Sequence, residues 1–208
     1  MAARRLRLPA ALVALALAGW VASAYAMHGM AMDGPGPMVS FLWLWIAMSA
    51  AMMLPSVVPA ASLARGVGRS AAGFVAGYFV IRAATGLVAY EAARGLAGAA
   101  TWLAAGAIVA AAVYQLTPLK DACLRRCRSP LGLLARRGAL RAGLEHEVVC
   151  LGCCWALQLA LVALGAGSLL WMAAVAAAIF VEKVSSLGTH ASRPVALALL
   201  GAAVWIVL

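Results

Sequence analysis

The sequence predicts an all-α protein: a polytopic transmembrane helical bundle of six to seven helices. Three observations carry this reading. Hydrophobic residues make up 66% of the 208 and charged residues only 11%, with mean hydropathy +1.01. Soluble domains are about half apolar and a quarter charged. The apolar excess falls in separate blocks of about 20 residues, the length that crosses roughly 30 Å of hydrocarbon. Lys and Arg sit at the ends of those blocks rather than along one soluble face, so the net charge of +10 reads as a topology signal and not as a nucleic-acid surface. Ten-residue alternating strands are absent, which excludes the pattern of an outer-membrane barrel. Abundant Ala and the 20 Gly suit closely packed membrane helices.

The first block, residues 1–26, carries Arg4, Arg5 and Arg7, an apolar body from Leu8 to Trp20, and the small-x-small end Ala24-Tyr25-Ala26. That is the anatomy of a signal peptide and equally of a first transmembrane helix. Residues 27–38 form an outer segment, MHGMAMDGPGPM. The membrane bundle then occupies 39–208, with helices expected over 39–59, 72–93, 98–116, 144–164, 169–187 and 195–208. Between the third and fourth of these, residues 117–143 read as a cytoplasmic loop rich in Cys and Arg.

Charge orients the bundle. With a cytoplasmic N-terminus, fourteen of the sixteen Lys and Arg residues lie inside, seven of them between Lys120 and Arg141. The expected location is therefore a bacterial inner (cytoplasmic) membrane, with the N-terminus cytoplasmic if the first helix is retained. The same orientation brings all five cysteines to the cytoplasmic face, where stable structural disulfides are not expected.

Cys150, Cys153 and Cys154 in CLGCCW share a helical face with His146, and Glu147 and Gln158 lie at its margins. Cys123 and Cys127 are four apart and supply a second edge if their segment is helical. Thiolate and imidazole suit Cu(I), Zn(II) or iron–sulfur units. The spacing, CxxxC, 22 residues, then CxxCC, is not that of a zinc ribbon. The alternative for any one Cys is a small buried hydrophobe in a tight bundle; five on one face point to a metal or redox role.

On the other side, Met27, His28, Met30 and Met32 offer the soft donors that suit Cu(I) in an oxidising compartment, or an ordinary linker. Their helix runs outward to inward, so Met52 and Met53 lie towards the membrane face that carries the cysteines, although Met also serves as gap-filler. Glu182 is a hard ligand, a proton acceptor or a partner for Arg, and Lys183 is placed to snorkel. Arg82, near the middle of its helix, needs an acidic or carbonyl partner that the sequence does not reveal.

These segments, AMMLPS (51–56), YQLTPLKDACLRRCRSPLG (114–132), CLGCCWAL (150–157) and Trp171, Met172, Glu182 and Lys183, occur in an order that resembles the bacterial predicted metal-binding integral membrane proteins of domain of unknown function 2182. The resemblance runs from about Val39 to the C-terminus. It implies a metal, at the matched positions Met52, Met53, Cys123, Cys127, Cys150, Cys153, Cys154 and Glu182. His146-Glu147 stands where His-Gly is expected, Gln158 where Met tends to follow, and residues 165–168 (GAGS) replace a Met/Asn-bearing turn.

Three functions follow as expectations. The first is a membrane metal handler, Cu(I) preferred and Zn(II) the alternative, that transports the ion or delivers it to another membrane protein. Its partners would be the lipid bilayer and a metal chaperone or metalloenzyme, with no nucleic acid and an oligomer allowed. The second is a thiol–disulfide redox protein using the Cys150–Cys153 CxxC. The third is an accessory subunit of a larger membrane complex. The composition contains no triad, HExxH or phosphate-binding glycine loop, so binding is expected rather than catalysis.

Overall fold

The computed structural model describes residues 2–28, 35–97, 101–164, 168–185 and 188–207. The elements are α1 (Ala2–His28), α2 (Met38–Gly66), α3 (Ala71–Leu96), α4 (Thr101–Gln115), α5 (Pro118–Arg128), α6 (Leu131–Arg136), α7 (Ala139–Ala163), α8 (Leu169–Val184) and α9 (Ser192–Val207), with a single 3₁₀ turn at Gly188–Ala191. No strand occurs among the described residues. The protein is an all-α helical bundle.

Among the described residues, four segments are long and apolar enough to cross a membrane: Arg7–Met27 of α1, α2, α3 and α7. Together, α4 and α5 make a fifth, bent by 66° at their junction. Within the described residues, α8 and α9 have 16 residues each, about 24 Å of helix against roughly 30 Å of hydrocarbon.

Local chemistry sets the breaks. Ser70 caps α3 by accepting from the Gly73 amide, and Ser168 caps α8 by accepting from Trp171. Gly68 takes φ +75 in the turn after α2, a left-handed conformation that side chains disfavour. At the α4–α5 bend, Thr117 accepts from Lys120 N while Pro118 opens α5 at its first turn, where a missing N–H costs nothing. The stretch 117–143, read as a loop, is thus largely helical: α5, α6 and the start of α7.

α1 runs along α2, α4 along α9, and α3 along α7. The α3–α7 crossing is built on glycine. A Cβ on Gly77 would strike the Leu140 carbonyl, and one on Gly143 would strike the Phe74 carbonyl, so only hydrogen fits at either. The core they enclose includes Met53, Phe74, Tyr78, Ile108, Cys150 and Met172, all fully buried.

One shift in boundary matters for the site. α7 begins at Ala139, five residues before the expected start, because the Arg, Ala, Leu and Glu of its first turns are good helix formers. Cys150, Cys153 and Cys154 therefore lie in the middle of α7 instead of opening it, with Cys150 about 16 Å from the helix start.

Replacing Gly143 by Ala should force α3 and α7 apart. The expected cost is that of overpacking, about 1–3 kcal/mol. A lowered thermal midpoint of the purified protein in detergent checks it, with Gly106→Ala, where a Cβ meets nothing within 4 Å, as the neutral control.

Candidate metal centre

α5 is amphipathic in a way that aims its thiols. Lys120 and Leu124 are fully buried and Cys123 and Cys127 half-buried, while Arg125 and Arg126 face outward. Positions 120, 123, 124 and 127 follow the i, i+3, i+4, i+7 stripe of one helical face. That face lies on α7 and α8.

Two contacts hold it there. The Lys120 ammonium meets Glu182 Oε1 of α8 at 2.5 Å with both side chains buried, and also donates to Gln115 Oε1. Gln115 Nε2 donates to the same carboxylate at 3.2 Å. At the far end of α5, Arg128 Nη1 donates to the Glu182 backbone carbonyl at 2.8 Å. Glu182, a possible ligand by sequence, is thus the anchor of α5.

The anchoring brings Cys127 to α7. The Sγ atoms of Cys127, Cys150 and Cys153 lie within 4.8 Å of one another. Cys154 is buried next to Cys153 on α7. Cys153 Sγ also donates to the Cys150 carbonyl at 3.0 Å, which orients the thiol on the helix. Three sulfurs each about 2.3 Å from a central ion stand about 4 Å apart, so the group has room for one.

Cys123 sits apart. Its sulfur occupies the space over Gly152, where a Cβ would come within 2.7 Å of it. Tyr114 Oη donates to the Gly152 carbonyl at 2.5 Å from the end of α4. The glycine of CLGCCW is accordingly the seat of the α4–α5 bend, a role that no ligand pattern contains.

Charged groups surround the sulfurs. Lys183 Nζ lies 2.8 Å from Cys150 Sγ and 3.7 Å from Met53 Sδ. Tyr78 Oη is 3.0 Å from Cys150 Sγ, and Arg82 Nη2 is 4.0 Å away. Placed by sequence to snorkel, Lys183 instead turns inward and offers a counter-charge to a thiolate. Met52 and Met53 are both buried in α2, with Met53 the nearer to the site through Lys183.

Arg82 has its partners. Nη2 meets Glu147 Oε1 at 2.5 Å, Nη1 donates to Gln158 Oε1 at 2.8 Å, and Nη2 reaches Tyr78 Oη at 3.4 Å. The indole of Trp45 donates to the Arg82 carbonyl at 3.0 Å. His146 is buried between the rings of Phe74 and Tyr78, with centroids 5.4 and 6.2 Å away, and its Nδ1 has no hydrogen-bond partner among the described residues. Met27 is half-buried near the end of α1, and His28 closes that helix. Met30 and Met32 lie outside the described residues.

Tyr78 is the residue that sequence reasoning missed, and Lys183 the one whose direction it misjudged. Lys183 carried a signal, a cation after a long apolar run; Tyr78 carried none.

Residues 42–206 match the family model PpoB2, described as a copper chaperone. The chain belongs to this copper chaperone family. The match supports the metal-binding reading drawn from the motifs but carries this family's name in place of domain of unknown function 2182. No curated protein and no solved structure matches the chain. Family and geometry agree on copper-related metal binding in a protein with membrane-spanning helices, since a cluster of thiols is the donor set that a soft monovalent ion prefers.

The buried Arg82–Glu147 pair generates a test. Arg82→Leu leaves the Glu147 carboxylate without its cation and should cost about 3–5 kcal/mol. The double change Arg82→Leu with Glu147→Leu should recover most of that, because it removes both charges. Unfolding curves of the two variants in detergent compare them.

Proposed function

We propose that the protein is a membrane copper chaperone that binds Cu(I) through Cys127, Cys150 and Cys153 and delivers it to a membrane-associated metalloenzyme or transporter. The observation that carries this is the convergence of three thiols from two helices within 4.8 Å, in a chain of the copper chaperone family. Cys154 completes the sulfur group, and Met53 is the neighbouring thioether. Lys183 offsets part of the negative charge that several thiolates leave around a single monovalent ion in an apolar interior.

The outer Met27, His28, Met30 and Met32 serve, in this reading, as the collecting end. Met52 and Met53 connect it to the thiols. Thioethers on the outer side resist oxidation better than thiols, and the thiols in the middle of α7 are the stronger donors, so donor strength rises inward from α1. The setting is a bacterial inner membrane with the Arg-rich α5 and α6 facing the cytoplasm, and α1 retained as part of the bundle. Cys123 and Glu182 support the site by packing and anchoring, and His146 stands one turn below Cys150 as a further donor. Zn(II) is the competing ion, since thiolates also hold it.

Anaerobically purified protein loaded with Cu(I) should retain about one ion per chain with sulfur in its coordination shell, read by metal analysis and X-ray absorption. Cys127→Ser, Cys150→Ser or Cys153→Ser should each lower retention against a competing chelator by tenfold or more, whereas Cys123→Ser should leave it near the parent value. Equal copper in the parent and in a variant lacking Cys127, Cys150 and Cys153 would overturn the assignment. A reversible Cys150–Cys153 disulfide with no metal bound would turn the reading to thiol–disulfide exchange.

A further inference from the structure

On the outer side of the two helices that supply the thiols lies an open groove of about 580 Å³ between α5, α6 and α7. Its rim carries Arg126 of α5, Arg136 at the end of α6 and Arg137 in the turn that follows, and its floor is Val148 and Val149 of α7. Glu145 is the acidic residue in its lining. That carboxylate is shared by Arg137 at 3.3 Å and Arg141 at 3.2 Å. Arg126 and Arg136 form no ion pair among the described residues, and both are exposed. The groove therefore holds two guanidinium groups without a counter-ion above an apolar floor, where Val148 is 58% exposed.

We propose that this groove binds an anionic phospholipid. A guanidinium pairs with phosphate oxygens through two parallel N–H donors, which Lys cannot match. Val148 and Val149 belong to α7, a helix apolar enough to span the membrane, so an acyl chain leaving the headgroup has an apolar surface to follow. A free phosphate ion has no use for that floor, and an acidic peptide would have to bury its charges beside it. Basic pockets between helices at a membrane surface are the usual seats of acidic lipid headgroups. The headgroup links Arg126 of α5 to Arg136 of α6 across α7, and so clamps the helix that carries Cys127. Lipid binding itself stands apart from the copper reading; only the effect on Cys127 rests on it.

The test uses the full chain, delipidated in zwitterionic detergent without copper and titrated with phosphatidylglycerol or phosphatidylcholine, with bound lipid counted by native mass spectrometry. The expected result is one phosphatidylglycerol retained in preference to phosphatidylcholine. Arg126→Gln with Arg136→Gln should weaken that retention by roughly 30-fold, from two cations near the surface. Both side chains are exposed, and an unchanged thermal midpoint in detergent shows that the double variant folds. Equal retention of the two lipids, or equal retention by parent and variant, overturns the proposal. So does displacement of the bound lipid by inorganic phosphate, which would make the groove an ion site. Binding of a polyglutamate peptide in place of the lipid would make it a protein-docking face and equally end the lipid assignment.

Discussion

Two glycines let α3 and α7 meet backbone to backbone, and the placement of almost every polar group in the bundle follows from that contact. With Gly77 against the Leu140 carbonyl and Gly143 against that of Phe74, the helices are locked in register two turns before Cys150 on α7. Tyr78 then faces Cys150, and Arg82 faces Glu147 and Gln158. Any side chain at either glycine would move Arg82 away from the Glu147 carboxylate. In an apolar interior an unpaired guanidinium is far more costly than the crossing itself.

A second constraint fixes the remaining thiol. Thr117 and Pro118 end α4 and restart the chain as α5 at a 66° bend. The buried Lys120–Glu182 pair, with Gln115 shared between them, then draws α5 onto α8. A buried ion pair adds little stability over an apolar pair of the same volume, but it is directional. Here the direction matters because Cys127 lies two helical turns beyond Lys120 on the same face. Gly152 receives the intervening Cys123, so the two cysteines of CxxxC have different work: one packs and the other joins the sulfur group.

The resulting centre is soft at its middle and charged around it. Cys127, Cys150 and Cys153 converge, Cys154 is buried beside Cys153 on α7, and Lys183 and Arg82 approach Cys150 from α8 and α3. Cations near a sulfur cluster in a low-dielectric interior make several negative sulfurs tolerable at once.

Much of this was legible in the residues alone. Apolar blocks and the positions of Lys and Arg determined a helical membrane bundle, because burying backbone polar groups in hydrocarbon leaves few other solutions. The shared face of His146, Cys150, Cys153 and Cys154 follows from helical periodicity and needed no partner to be seen, whereas the stripe of Lys120, Cys123, Leu124 and Cys127 lay in a stretch read as a loop and emerged only with α5. What periodicity cannot supply is the register between helices. Glu147 as the partner of Arg82, Glu182 as an anchor for Lys120, Lys183 turned inward to Cys150, and Cys123 set apart from Cys127 all depend on which turn of one helix meets which turn of another. Those choices are made by a missing Cβ at Gly77, Gly143 and Gly152 and by the bend at Pro118. Only the tertiary structure decided them, because a glycine in a sequence shows that backbones are free to approach but not which backbone comes.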